Sequence, residues 1–500
     1  MKAYLLFKDR DFGLDQPLPW NELSLVQDLE LSTLFDAMAS GDKFLLQVAH
    51  QAILSAMEND PETILYRQNV LKDCLKNPTL VAAMYQIAVE AIDNEKKIYW
   101  GIFSKYPIAI LDRAINVLRM FVEMLIRLRN IADEHREDFE SDGFLTLFTS
   151  LTRELSDEYL ATIQDHLKAL KFRGGVLISA GLGKGNKGIH YVLRQPDDRK
   201  QKWFERFFSP TAPGYSFTIA DRDDAGARAL SALRDRGIND VANALAQSCD
   251  HILSFFTMLR TELAFYIGSL NLYQQLTQLG EPVCFPTPLA AGIRSHTGKG
   301  IYDPCLALTQ NEKVVGNDLE AAGINLVIIT GANQGGKSTF LRSIGLAQLM
   351  MQSGMFAPAE SLSANVCDGL FTHYKREEDT AMNSGKLDEE LSRMNEIVTH
   401  LTPDALLLFN ESFAATNERE GSEIAGQITA ALLEAGFKIF FVSHLYAFAH
   451  RLYARELSRV TFLRAERRAD GPRTYKLFAG EPLQTSYAKD LYNPDLSTGH

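Results

Sequence analysis

Residues 324–345, "INLVIITGANQGGKSTFLRSIG", decide how this chain folds. An apolar, largely β-branched run stops at a glycine-rich loop, and the loop opens onto a segment with helical spacing. Gly331, Gly336, Lys337 and Ser338 satisfy G-x-x-x-x-G-K-[ST] between a strand and a helix, the context that gives the pattern meaning. Glycines let backbone N–H groups wrap phosphates, and the helix N-terminus favours their negative charge. The lysine reaches the outer phosphates, and the serine is a ligand for Mg²⁺. The segment therefore predicts an ATP site with Mg²⁺.

Downstream, "ALLLF" and "KIFFVSH" are further apolar runs separated by amphipathic segments. Strands alternating with helices predict a parallel sheet with helical crossovers. The first run continues as "LLLFNESFAATNEREG", residues 406–421, and delivers Asn410 and Glu411 to the end of a strand. Glu411 stands where a general base or water-positioning carboxylate belongs, and with Ser338 and Asn410 it is a candidate Mg²⁺ residue. Asn410 occupies the position usually held by an aspartate near the metal; its oxygen still accepts from a metal-bound water, without the charge. Weaker Mg²⁺ holding is expected, because phosphates and Ser338 supply most of the ion's ligands. His444 ends the "KIFFVSH" run and is a candidate γ-phosphate sensor.

Upstream, residues 23–170 show apolar residues at helical spacing. In "INVLRMFVEMLIRLRN", Ile115, Leu118, Phe121, Val122, Leu125 and Leu128 share one face. The run "DEHREDFESD" reads as a solvated face and loop. From Lys171 the texture changes: "GGVLISAGLGKGNKGIHYVLRQP" predicts a hairpin around a glycine-rich turn. Gly183, Gly185 and Gly188 formally match G-x-G-x-x-G, but no helix opens there, so a dinucleotide site is not expected. Helical spacing returns from Ala225 and breaks at "GEPVCFPTPLAAG".

The chain has 500 residues, 46% hydrophobic and 23% charged, with a formal net charge of −12, which fits several globular domains and excludes a uniformly basic nucleic-acid coat. Charge is nonetheless reversed locally. Between residues 171 and 206, Lys171, Arg173, Lys184, Lys187, Arg194, Arg199, Lys200, Lys202 and Arg206 face only Asp197, Asp198 and Glu205. With Tyr191 and Trp203 nearby, this segment reads either as a surface tracking a phosphate backbone or as a solvated hairpin and loop. The five cysteines form no C-x-x-C pair, which predicts reduced thiols and a cytoplasmic protein. No segment has the apolar length of a membrane span, and the N-terminus lacks the apolar core of a signal peptide.

The order "GANQGGKST", "FAPAE", "LLLFNESFAATNEREG", "FFVSH" and "KLFAGEPLQTSYAKDL" resembles the MutS family of DNA mismatch-repair ATPases, whose nucleotide domain is of the ABC class. The family's P-loop reads G-P-N-M-G-G-K-S-T, so Ala332 and Gln334 depart mildly while Asn333, Gly335, Gly336, Lys337, Ser338 and Thr339 match. The resemblance implies that Val314, Val315 and Asn317 of "VVGND" pack on the adenine, and that Asp is usual where Asn410 stands. It also implies that "MNSGKLDEELSRMNEI" completes a partner's site, with Ser384 as a trans contact, although "LDEEL" departs from the family wording. Leu387, Leu391, Met394 and Val398 would give that helix a core face.

More loosely, "DLELSTLFDAMASGDKFLL" and "ILYRQNVLKDCLKNP" resemble the family's core and lever region. The expected architecture is multidomain, α plus α/β. Residues 1–170 would form a first core and lever part, 171–222 a small β-rich clamp-like insertion, 223–290 returning lever helices, and 291–500 an ABC-type P-loop ATPase. The F-x-E wedge of mismatch readers has only two matches, Phe121 to Glu123 within a helix and Phe409 to Glu411 in the nucleotide site, so direct mismatch reading is not expected. Thirteen residues follow Tyr487, which leaves no expected room for a nuclease or added dimerisation domain. Two functional readings stand. One is a homodimeric, ATP-hydrolysing clamp on DNA in repair or recombination, working with proteins of those processes. The other is a nucleotide-gated scaffold with little or no hydrolysis that recruits protein partners.

Overall fold

The computed structural model describes residues 1–99, 107–172, 175–194, 215–332, 334–376, 385–466 and 473–483. Helices come first: α1 (Glu22–Asp28), α2 (Leu31–Ala39), α3 (Lys43–Leu54), α4 (Pro61–Lys76), α5 (Pro78–Tyr99), α6 (Pro107–His135), α7 (Asp142–Glu154) and α8 (Asp157–Ala169). A hairpin of β1 (Leu177–Leu182) and β2 (Gly188–Arg194) follows, then the 55-residue α9 (Asp224–Gln278). The remainder alternates: β3 (Thr287–Leu289), β4 (Ser295–Ile301), α10 (Pro304–Gln310), β5 (Asn317–Ala322), β6 (Leu326–Thr330), α11 (Lys337–Gln352), β7 (Ser361–Asn365), β8 (Leu370–Tyr374) and α12 (Lys386–His400). The last elements are β9 (Leu406–Asn410), α13 (Glu418–Glu434), β10 (Lys438–Val442), α14 (Tyr446–Tyr453), β11 (Val460–Ala465) and β12 (Leu477–Ala479). Helix starts follow local chemistry. Asp60 and Asp303 cap α4 and α10 ahead of a first-turn proline, and Asn417 caps α13 by accepting from Glu420 N–H.

Contacts divide the chain into two compact units. The first comprises Met1–Ala3, Ala82–Glu137 and Thr146–Arg260. In it the expected face of α6 is buried from Ile115 to Leu128, and Leu111, Ile115 and Leu118 pack with Leu167, Ile238 and Ala242. The β1–β2 hairpin is antiparallel. Its turn holds Gly183 and Gly185, and no helix opens from it, as the sequence indicates for that glycine pattern.

The second unit comprises Tyr4–Val81, Asp138–Leu145 and Thr261–His500. Its six-stranded sheet runs β12-β11-β6-β10-β9-β8, parallel except for the β11–β12 edge. β6 and β10 are buried along their whole length, the condition of a parallel strand covered on both faces. A four-stranded sheet, β3-β7-β4-β5, lies in the same unit. Lys438 joins the two sheets: its buried ammonium donates to Ser295 O at 2.9 Å and Asn365 Oδ1 at 2.8 Å, and burial pushes its pKa down to about 7.

The N-terminal segment is held by two buried charged side chains. Arg67 Nε donates to Leu6 O at 2.9 Å, and its guanidinium lies 4.4 Å from the Phe7 ring centroid. Glu262 accepts from the N–H groups of Leu5, Leu6 and Phe12. Burial nevertheless raises its carboxyl to about 7. A carboxyl whose folded pKa exceeds its unfolded value stabilises the fold fully below the unfolded pKa and loses that contribution as pH rises through the folded one. The Glu262 contribution is thus expected to fall by about 3 kcal/mol as pH rises from the ordinary carboxyl range to neutrality. Urea unfolding across that window should show the slope in the natural chain and a flatter one in Glu262→Gln; equal slopes would contradict it.

All five cysteines are free, and among the described residues no helix is long and apolar enough to cross a membrane.

Candidate functional site

Strand order explains how distant residues meet. β10 lies between β6 and β9, so the loop after each strand opens on the same C-terminal edge of the sheet. The loop after β6 is the glycine-rich segment. Gly331 (φ +123°) and Gly336 (φ +84°) adopt backbone conformations that side chains resist, and a Cβ on Gly331 would stand 2.8 Å from that of Ala465. Gly336 is the N-cap of α11, and Lys337 begins the helix. The Lys337 amine folds back to donate to Ala332 O at 2.8 Å. Burial lowers its pKa to about 8, while the Glu411 charge pulls it up.

The end of β9 supplies the facing wall. Ser338 Oγ donates to Asn410 Oδ1 at 2.8 Å, so two neutral oxygens converge beside the loop. Oxygen is the donor type Mg²⁺ takes, and neither group fills an octahedron alone; the pair suits an ion that draws its remaining ligands from phosphates and water. Among the described residues no cluster of three or more His, Cys, Asp or Glu side chains could hold a metal. Glu411 follows in a left-handed conformation (φ +54°), its N–H donating to Val442 O at 2.9 Å. His444 Nε2, from the loop after β10, donates to Glu411 Oε1. That hydrogen bond, with the nearby charges of His444, Lys337 and Lys375, holds the carboxyl below the usual carboxylate range, against its burial. Glu411 is therefore an ionised acceptor at neutral pH.

A cavity of about 570 Å³ adjoins the loop. Val314, Val315 and Asn317 line it together with Gln334, Gly336 and Thr339. Asn317 also shapes the wall. Its amide donates to Tyr475 O at 3.1 Å and its oxygen accepts from Leu477 N–H at 2.7 Å, clipping the β12 segment beside the cavity. That segment brings two lining residues the sequence did not suggest, Arg473 and Tyr475. Arg473 donates to the backbone oxygen of Gln334. Their distance from the loop along the chain hides them; the "KLFAGEP" stretch beside them was the only local signal.

The α12 face differs from expectation. Leu391 and Val398 are exposed, and the buried residues are Glu390, Met394 and Ile397, so the helix is turned about one position from the stripe through Leu387, Leu391, Met394 and Val398. Both stripes are helical in spacing. The inward one wins because the Glu390 carboxylate accepts from the Phe413 backbone and Arg393 donates to Tyr374 O at 2.9 Å.

On the β1–β2 hairpin, Lys184 and Lys187 are exposed at the turn and Arg194 at the far end of β2, where its Nε donates to Ser179 Oγ at 2.9 Å; Lys171 is exposed before the hairpin. Tyr191 is half-buried, with the Arg236 guanidinium 5.7 Å from its ring centroid. Asn333, Ser384, Arg173, Arg199, Lys200, Lys202, Trp203 and Arg206 lie outside the described residues.

Two family models match this chain: the MutS2 N-terminal domain over residues 59–279, and MutS domain V over residues 327–486. Relatives include mouse MutS protein homolog 4, 32% identical over 150 residues, which is 30% of this chain and 16% of the relative. DNA mismatch repair protein MutS of Chloroflexus aurantiacus is 32% identical over 164 residues, 31% of this chain and 17% of the relative. The MutS protein of Thermotoga petrophila is 36% identical over 118 residues, 24% and 15% respectively. The matched stretch thus spans about a sixth of these relatives' length.

Proposed function

The chain belongs to the MutS family, and from that premise we propose that it is an ATP-binding and ATP-hydrolysing DNA-binding protein, acting as a homodimeric, ATP-gated clamp in repair or recombination without reading mismatches itself. The observation that carries the catalytic half is the convergence of Lys337, the Ser338–Asn410 pair and the Glu411–His444 pair on one sheet edge beside a cavity of nucleotide size.

In this reading the backbone N–H groups of residues 331 to 339 and the Lys337 amine bind the phosphates, and Val314 and Val315 pack on the base. Ser338 and Asn410 would hold Mg²⁺, which would supply neutralisation of phosphate charge. Glu411 orients the attacking water and accepts its proton; its ionised state suits that role. His444 fixes the Glu411 carboxylate and senses the γ-phosphate by exchanging that partner. Ser384 reaches the second subunit's nucleotide. The DNA-binding half rests on the exposed lysines of the hairpin and on the basic excess between residues 171 and 206.

Asn410 favours one competing reading, a scaffold that binds ATP and recruits proteins with little turnover. Steady-state ATP hydrolysis with and without Mg²⁺ separates the two. Magnesium-dependent turnover by the natural chain is expected; binding without hydrolysis would leave the scaffold. Asn410→Asp restores a charged neighbour for the ion and should lower the half-saturating Mg²⁺ concentration by about tenfold. An unchanged Mg²⁺ requirement would mean that Asn410 takes no part in holding the ion.

A further inference from the structure

Glu411 does not stand on a relaxed backbone. It and Phe413 are both left-handed, at φ +54° and +62°, with Ser412 between them. Such conformations in bulky residues persist only where the surroundings over-determine them. Three groups do so here. The first is His373 on β8, which is 1% exposed. Its Nδ1 lies 2.7 Å from Ser412 Oγ, and that hydroxyl also lies 2.6 Å from the His373 carbonyl oxygen. Its ring stacks on Phe413, with centroids 5.2 Å apart and planes 22° apart. At its other end, Nε2 lies 3.0 Å from Glu390 O on α12. A carbonyl only accepts, so Nε2–H donates to Glu390 O. Nδ1 of this neutral imidazole then accepts, and the single Ser412 hydroxyl hydrogen is shared between Nδ1 and the His373 carbonyl oxygen. The second group is Glu390 itself, whose carboxylate accepts from the Phe413 backbone. The third is Gly421 on α13: a Cβ there would stand 2.4 Å from Phe413 O, so only glycine lets this helix close on the turn.

We propose that His373 is a positioning residue for Glu411: by bridging Ser412 to the Glu390 carbonyl, it locks the turn carrying the carboxylate to helix α12, so that Glu411 keeps its aim only while α12 is seated. The proposal rests on the reading of Glu411 as the group that acts on the attacking water. His373 does not line the cavity; its effect passes through the turn. Displacing a catalytic group by a fraction of an ångström costs rate without touching the groups that bind substrate, so the signature is a fall in kcat at constant KM.

The test uses the full chain and four variants. His373→Phe keeps a stacking ring and loses both polar ends; Ser412→Ala removes only the hydroxyl; the double variant combines them; His373→Gln returns a donor for the Glu390 carbonyl. Each single change is expected to lower kcat by about tenfold with ATP affinity held within about twofold. The double variant should be no slower than the slower single, because one linkage is broken twice. His373→Gln should recover part of the loss. Thermal melts identify any variant that fails to fold, and Ser412→Ala, the mildest change, then decides alone. Natural kcat in a folded Ser412→Ala, or effects that multiply in the double variant, would overturn the linkage. Natural turnover in Glu411→Gln would instead remove the reading of Glu411, and the positioning role with it.

Discussion

Glu411→Gln is expected to lower steady-state ATP turnover by at least about 100-fold while leaving ATP affinity within about threefold of the natural chain. The size follows from what Gln keeps and what it loses. It keeps the length of the side chain and a carbonyl oxygen that still accepts from His444, so the pocket and the phosphate loop stay as they are. It cannot take up a proton from water, and it removes the negative charge that faces Lys337. The first loss falls on the chemical step. The second removes the influence that raises the Lys337 pKa, so the decline of ATP binding with rising pH should begin at lower pH in the Gln variant than in the natural chain. Turnover is read by phosphate release and affinity by equilibrium titration. Parallel losses in both would mean that Glu411 binds the substrate and does not act on water.

Arg67→Ala is expected to destabilise the fold by about 4 kcal/mol, seen as a lowered urea midpoint. The guanidinium is buried among its own unit's residues, and burial pulls its pKa down to about 10, so it still carries charge at neutral pH. It donates to Leu6 O and, at 3.3 Å, to Ser353 O, and its stem fills the space that Gly354 leaves by having no Cβ. Truncation leaves two buried carbonyls short of a donor and a cavity against Phe7. Arg67→Lys should recover about half the loss, since an ammonium satisfies one carbonyl but lacks the planar fork. A loss below about 1 kcal/mol for Ala would show that the N-terminal segment is held by other means.

What could be read from the sequence was local. The phosphate loop is contiguous, so strand, glycines, lysine and helix declare themselves together. Glu411 and His444 were legible because parallel strands end on one edge, and a polar residue after an apolar run therefore faces the same place. The α6 face was legible because its stripe had no competitor. On α12 two stripes competed, and the choice turned on Glu390, a carboxylate whose burial depends on a backbone N–H at Phe413. No periodicity shows such a partner. His373, Arg473, Tyr475, Arg67 and Glu262 were hidden for the same reason: each acts through contacts far along the chain. Helical spacing in residues 23–81 shows which faces are buried, but not that they pack within the unit that carries the phosphate loop.

The central proposal, that ATP gates a grip on DNA, is tested most directly by the lifetime of the full chain on a branched duplex, measured with and without Mg²⁺-ATP at low and moderate salt. Basic residues meeting phosphates should make binding weaken steeply with salt, and ATP should change the lifetime by about tenfold or more. Absence of salt-sensitive binding in either nucleotide state would contradict the DNA clamp.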